Sequence, residues 1–341
     1  MIERLKFNLD PLVNEMLDQF DKSVWTSKTS TFVDPSIGSG QFVKEIERRL
    51  REAGHSDMNI SKRVFGCEKS KLRVQYALNT HKLVGTYVVG DFFNIGFDMR
   101  FDVAVGNPPY QRNDNKAKRW TLWEEFVKKS LDLADTVALV VPQSVTSPNA
   151  SFNLIKDKCS VLNIDVSKHF SVGSTFCYFV AHSNKKINNT KIITSDCVYN
   201  RDISQAPFLP SVINNETLTQ LDDLINRPKK KWHRGELHTS RTEIFTTTGR
   251  YSVMHTNAQT LQTDIDHKNR TKIRVAVSLS GYPTFRVLQN EYASQACFWT
   301  EFNTVAEAQQ FADECNAADI QNILTVFKWS GWNSKEVIQC L

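Results

Sequence analysis

Residues 31–54 read TFVDPSIGSGQFVKEIERRLREAG, and the two ends of this stretch ask for different backbones. The β-branched and aromatic start suits a strand. Phe42, Val43, Ile46 and Leu50 instead recur at helical spacing, with the charged residues expected on the opposite face. Between the two, Gly38 and Gly40 permit positive φ and a close backbone approach, and the helix that follows presents free amide groups at its amino end. A ligand can therefore lie against this loop. The spacing lacks the third glycine of a dinucleotide fingerprint and the Gly-Lys-Ser/Thr of a P-loop.

The alternation continues outward from this unit to about residue 141: RVFGCE then KLRVQYALNTHKL, TYVVGD, FDVAVG then LWEEFVKKSLDLA, and VALVVP. Strand, helix and strand repeated this way predict an α/β domain with a mostly parallel sheet. Right-handed crossovers then gather the functional loops at the carboxyl ends of the strands. After about residue 181 the chain becomes polar and rich in Asn and Pro, as in HSNKKINNTK and NRDISQAPFLPSVINNE, which predicts a linker or irregular crossing. Beyond it, KIRVAVSLSG and ACFWTEF read as strands, and TVAEAQQFADECNAA and DIQNILTVFKW as helices, so a smaller α+β domain is expected. The expected domains are residues 1–205 and 206–341.

Composition narrows the class. A chain of 341 residues with 40% hydrophobic content is long enough for two packed cores. MIERLKFNLD carries no apolar signal region, and apolar runs such as TVALVVP fall far short of the roughly 20 residues that span a bilayer, so a cytoplasmic protein without membrane association is expected. Seven scattered cysteines with no CxxC point to reduced thiols and no metal site. The net charge of +5 is unevenly spread: residues 227–286 hold twelve Lys or Arg against four Asp or Glu. Lys229, Lys230, Lys231 and Arg234, in RPKKKWHR, form the densest part and read either as a solvated run or as a phosphate-tracking surface.

Four strand ends carry the chemistry. The first has Asp34, Pro35 and the glycine loop. The second has Glu68, a carboxylate able to accept hydrogen bonds from ribose hydroxyls. The third has Asp91 followed by Phe92, an acceptor for an adenine amino group beside a ring that can pack on its face. Each acid alone reads as a surface residue or cap; together they describe a nucleoside pocket. The fourth strand, FDVAVG, runs into Asn107, Pro108, Pro109 and Tyr110. Two prolines cannot join a sheet ladder, so Asn107 and Tyr110 are held on a stiff loop.

DPSIGSGQF, the acid of GCEKS, GDFF and GNPPYQ, in this order and with about seventy residues between first and last, resemble the motifs of adenine-specific (N6) DNA methyltransferases that place the donor motif first and the target-recognition domain last. NLDPLVNEMLDQF is similar to the family's amino-terminal segment, with Leu9-Asp10-Pro11 in place of the usual Thr-Pro. The resemblance covers roughly residues 8–181. It implies a Rossmann-like catalytic domain over residues 1–205, a target-recognition and DNA-binding domain over 206–341, and S-adenosylmethionine as methyl donor. Asp34 and the loop from Gly38 to Gly40 would meet the donor's methionine part, Glu68 its ribose, and Asp91 with Phe92 its adenine, with Pro35 and Phe42 also in the donor site. Asn107 and Tyr110 would belong to the acceptor, with Asn107 also among the donor-binding residues. Phe170, in HFSVGSTFCYFV, is similar to the ring that packs against an extruded base.

An adenine amino nitrogen is a poor nucleophile because its lone pair is delocalised into the ring. Acceptance of its two N–H bonds by the Asn107 side chain and the Pro108 carbonyl would make the nitrogen more electron-rich. A base within a duplex cannot reach such a loop, so double-stranded DNA must release it by flipping, with Tyr110 supplying replacement stacking and the loss of its hydroxyl expected to be mild beside the loss of its ring. The basic stretch, with NKAKRW after the catalytic loop, would hold phosphates. A separate restriction endonuclease is a conceivable partner, and action as a monomer on DNA is compatible with this reading. The alternatives are methylation of cytosine N4 in DNA, of RNA or of protein glutamine, or a catalytically silent DNA-binding subunit.

Overall fold

The computed structural model describes residues 10–111, 122–170, 173–238, 244–256, 259–329 and 331–341. The chain divides into two compact units, one of residues 1–145 and 149–206, the other of residues 146–148 and 207–341.

In the first unit, α1 (Asp10–Leu17) and α2 (Lys22–Thr26) precede the alternating series β1 (Phe32–Asp34), α3 (Gln41–Glu52), α4 (Asp57–Ile60), β2 (Val64–Glu68), α5 (Lys71–His81), β3 (Thr86–Val89), β4 (Phe101–Gly106), α6 (Leu122–Leu133) and β5 (Ala134–Pro142). It closes with α7 (Ala150–Ile155), β6 (Cys159–Asn163), β7 (Phe176–His182), β8 (Thr190–Ile193) and β9 (Val198–Arg201). These strands form one nine-stranded sheet in the order β3-β2-β1-β4-β5-β7-β6-β8-β9. The first five pair in parallel, and β7 runs antiparallel to both β5 and β6. The predicted α/β class and mostly parallel sheet are thus present. Every residue of β1 is buried, as a central parallel strand covered on both faces requires. Phe32, Val64, Val103 and Val140 share a core with Ile46 and Leu50 of α3.

Two local expectations change. The charged side of α3 is not simply solvated, because Glu45 and Glu47 are buried. Glu47 accepts hydrogen bonds from the backbone N–H groups of Val84 and Gly85 and from the Tyr87 hydroxyl (2.6 Å), and it pairs with Arg51. A buried carboxylate is tolerable with that many donors, and it fixes the chain's entry into β3. The polar segment after residue 181 is also more than a linker, since β8 and β9 lie within it and extend the sheet. The Thr190 hydroxyl donates to the Cys159 carbonyl at 2.7 Å, which attaches β8 next to β6 despite its weak hydrophobic pattern.

The second unit contains α8 (Asn215–Ile225), β10 (His233–Arg234), β11 (Tyr251–Met254), β12 (Thr260–Thr263), β13 (Ile273–Ser278), β14 (Phe285–Leu288), β15 (Tyr292–Ala293), β16 (Cys297–Phe302), α9 (Val305–Asn316), α10 (Ala318–Val326) and α11 (Lys335–Ile338). A four-stranded sheet, β10-β16-β13-β14, accompanies a three-stranded one, β12-β11-β15. Capping boxes start α8 at Asn214 and α9 at Thr304. Arg274 is fully buried in β13, where its guanidinium pairs with Glu236 at 3.0 Å.

Among the described residues, no helix is long and apolar enough to cross a membrane.

Candidate active site

The carboxyl ends of β1, β2, β3 and β4 open onto a cavity of about 670 Å³ in the first unit. Pro35, Gly38, Glu68, Asp91, Phe92, Asn107 and Pro109 line it. The neighbouring strands are parallel, so residues far apart in sequence end on the same edge, and this adjacency assembles the wall.

The glycine loop takes the conformation its residues permit. Gly38 has φ 54° and Gly40 φ 90°. A side chain at Gly40 would place its Cβ 2.9 Å from the Ala77 Cβ of α5, so loop and helix can approach this closely only without one. Gly40 leads into α3 as its N-cap. The Gly38 N–H donates to Glu68 Oε2 at 3.2 Å, and the Ser70 N–H donates to Glu68 Oε1 at 3.0 Å. The Glu68 carboxylate is thereby held in the cavity wall while remaining buried.

Asp91 sits at the turn after β3. Its Oδ1 accepts the Phe93 N–H at 3.1 Å, and its Oδ2 lies 2.9 Å from the Lys69 ammonium. Lys69 also lines the cavity and is largely exposed, so the pair bridges the rim. In the same turn, Phe92 stacks on Phe126 at 5.3 Å with nearly parallel planes, and Phe93 meets Phe126 edge-on at 4.8 Å. The Lys129 ammonium of α6 donates to the Phe92 and Ile95 carbonyls and lies 4.7 Å from the Phe92 ring centre, pinning the turn that carries Asp91.

Asn107 follows β4 and lines the same cavity. The Tyr110 hydroxyl donates to Asn107 Oδ1 at 2.6 Å, closing the four-residue loop on itself. The Tyr110 ring stacks on Phe176 of β7 at 4.9 Å, and Phe170 packs on the same ring at 4.7 Å. The three rings form a row beside the loop. Burial holds the Tyr110 phenol above its ordinary range.

Several residues picked out in the sequence stand behind this surface. Asp34 is buried, with Oδ1 accepting the Ser36 N–H at 2.9 Å. Burial pushes its carboxyl up to about 7, and the nearby Glu68 carboxylate adds to the rise. Phe42 is buried in the α3 face, and Pro108 is buried in its loop. Asp34, Gly40, Phe42, Pro108 and Tyr110 do not line the cavity. In the second unit, Lys229 and Lys231 are exposed, whereas the Lys230 ammonium lies over the Phe311 and Phe302 rings at 4.2 and 4.9 Å. Arg234 lies over Phe298 and donates to the Gln295 carbonyl. The NKAKRW segment lies outside the described residues.

Sequence reasoning missed Lys69, Phe126, Lys129 and Phe176. Lys69 directly follows the predicted Glu68, and Phe126 and Lys129 share a helix face at i, i+3 spacing, so those signals were available. Nothing local marks Phe176, which reads as one more residue of a buried strand. Gly106 was also passed over: a Cβ there would lie 2.6 Å from Asp34 Oδ1, so the residue before Asn107 must be bare for the first and fourth strand ends to meet. Cys67 lines the cavity with its thiol 3.1 Å from the Pro35 carbonyl, and burial pushes that thiol up to about 12, which makes it an inert wall group. Among the described residues, no group of three or more His, Cys, Asp or Glu could hold a metal ion.

A sheet ordered β3-β2-β1-β4-β5-β7-β6 with β7 reversed, and with a glycine loop after β1, is a Rossmann-like α/β arrangement. Residues 23–169 match the family described as Eco57I restriction-modification methylase, which bears out the resemblance read from the motifs. That match holds all the cavity residues named above and ends one residue before Phe170; residues 207–341 lie beyond it. A protein of Mycoplasma pneumoniae named "Uncharacterized adenine-specific methylase" is 29% identical over 148 residues, covering 37% of this chain and 35% of that protein. Among solved structures, the M protein of the type I restriction enzyme EcoKI is 14% identical with a TM-score of 0.44, covering 57% of this chain and 49% of that one. The type IIG restriction endonuclease BpuSI is 9% identical with a TM-score of 0.46, covering 99% and 58%. The match to the curated relative thus spans about a third of that relative's length.

Proposed function

We propose that this protein transfers a methyl group from S-adenosylmethionine to N6 of an adenine flipped out of double-stranded DNA. The observation that carries the reading is Asn107, which lines one cavity with Glu68 and Asp91 and whose Oδ1 accepts the hydroxyl of Tyr110, a ring stacked on Phe176. The cavity suits the donor in kind: a carboxylate held by two backbone N–H groups for the ribose, and a second carboxylate, next in sequence to a ring of the cavity wall, for the adenine. When bound, S-adenosylmethionine supplies an electrophilic methyl group whose C–S bond breaks as the N–C bond forms, the electron pair leaving on sulfur as a neutral thioether and one N–H proton of the methylated nitrogen passing to solvent.

The chain's own groups do the rest. Asn107 Oδ1 and the Pro108 carbonyl accept the two N–H bonds of the target amino group, so its lone pair is free to face the methyl. Pro108 cannot flex about φ, which keeps its carbonyl aimed. Neither acceptor is a strong base, so acceleration comes from positioning and from acceptors placed where positive charge develops on nitrogen. Tyr110 replaces the stacking that the base loses on leaving the duplex, worth about 1–3 kcal/mol per base. Lys229 and Lys231, with Lys230 and Arg234 beside them, contact phosphates, and residues 206–341 read the target sequence. A restriction endonuclease on a separate chain is the activity such methylation would protect against.

The test is incubation with radiolabelled donor and separate DNA, RNA and protein acceptors, followed by nucleoside digestion and mass spectrometry of the labelled product. N6-methyladenine in DNA is the expected product. N4-methylcytosine, or label confined to RNA or protein, would overturn the assignment. Donor binding without transfer to any acceptor would make the chain a silent partner subunit.

A further inference from the structure

We propose that the Tyr110 hydroxyl is a positioning group that fixes the rotation of the Asn107 carboxamide, a role separate from the stacking of its ring. The inference rests on the methyl-transfer reading for its kinetic consequence, although the contact itself belongs to the free protein.

The argument starts from the asparagine side chain. The terminal torsion of Asn is broad and roughly two-fold, so stiffening the backbone with Pro108 and Pro109 does not decide which way the carboxamide faces. Two orientations compete, and they exchange an acceptor for a donor at the same place. With the amide nitrogen turned toward the target amino group, two N–H donors would oppose one another and the site would repel its substrate. The hydroxyl of Tyr110, which as a phenol donates more strongly than it accepts, donates at 2.6 Å and so holds the orientation in which Oδ1 lies on its side. A carbonyl oxygen has two lone pairs, so the second stays available to an incoming N–H.

The hydroxyl can do this because its ring is held. Tyr110 is half-buried and stacked on Phe176, itself 5% exposed, and Phe176 supports Phe170 as well. The phenol keeps its proton, since burial raises it above its ordinary range, and so it remains a donor across the working pH range. Both residues come from one four-residue loop, so the clamp closes over a short span that the two prolines already restrict.

A double-mutant cycle with Tyr110→Phe, Asn107→Ala and the double variant tests the proposal. Single-turnover methylation is measured with saturating donor and DNA, and 2-aminopurine fluorescence at the target position reports flipping. Tyr110→Phe is expected to slow the single-turnover step about tenfold while leaving DNA affinity and the 2-aminopurine signal near wild type. The same change made in the Asn107→Ala background is expected to do nothing further, because there is no carboxamide left to orient. Equal slowing in both backgrounds, or a wild-type rate for Tyr110→Phe, would overturn the proposal. A readout independent of substrate comes from selective ¹⁵N labelling of asparagine in the free protein. The Asn107 side-chain amide resonances should shift and lose order in Tyr110→Phe, and an unchanged pair would overturn the clamp. A wild-type protein that showed the clamp yet did not methylate DNA would instead refute the functional reading on which the kinetic arm depends.

Discussion

Asp34→Asn gives a sharp test of how the first strand end is built. Asp34 is buried, and desolvation pushes its carboxyl from the ordinary 3.8 up to about 7. The sign follows from proton counting. At about pH 4 and below, folded and unfolded chains both carry the proton and the group contributes fully. As pH rises toward 7, the unfolded chain loses the proton while the folded one retains it, so stability falls; above about 7 both are ionised and the loss is complete. That rise from 3.8 to about 7 corresponds to about 4 kcal/mol. Asparagine never ionises, and its oxygen can still accept the Ser36 N–H. Urea denaturation followed by circular dichroism, run for both proteins from about pH 4 to pH 8, should show the stability difference shifting by up to about 4 kcal/mol in favour of Asp34→Asn as pH rises. Parallel pH profiles would show that Asp34 is not a buried, desolvated carboxylate and would refute the reasoning.

Other expectations follow from neighbouring contacts. Gly106→Ala puts a methyl 2.6 Å from Asp34 Oδ1, so a loss of about 1–3 kcal/mol from overpacking is expected, checked by the shift in urea midpoint. If Asp91 receives the donor's adenine amino group, Asp91→Ala should weaken S-adenosylmethionine binding by about 1–3 kcal/mol in calorimetric titration. Lys69→Met should instead tighten it by no more than about fivefold, because it removes a rim cation that competes for the same carboxylate and an exposed ion pair is worth at most about 1 kcal/mol. Neutralising Lys229 and Lys231 together should weaken DNA binding on all sequences and reduce the salt slope by about two units, whereas Lys230→Ala should chiefly lower stability by uncovering Phe302 and Phe311. A wild-type salt slope in the double variant would mark those lysines as solvated surface.

What the sequence determined by itself is the alternation and its punctuation. Residues 31–54 set out strand, glycine turn and helix because periods of two and 3.6 and the φ freedom of glycine are local properties. The end of β4 was legible for the same reason, since Pro108 and Pro109 cannot continue a ladder. The positions of Gly38, Glu68, Asp91 and Asn107 around one cavity could be anticipated from parallel-sheet topology, which orders strand ends without needing side-chain detail. Tertiary structure alone decided what those groups touch. Glu47 reads as a solvent-facing helix residue but is buried, because β3 brings two N–H groups and a tyrosine hydroxyl to it from about forty residues away. β8 was hidden because its stability comes from pairing beside β6 rather than from its own pattern. Phe176 carries Tyr110 and Phe170 through ring packing across distant segments, and Lys69 reaches Asp91 only because β2 and β3 end side by side. Side-chain periodicity is a property of neighbours along the chain, whereas hydrogen-bond satisfaction, burial and charge pairing belong to neighbours in space, and these set the chemistry of the site.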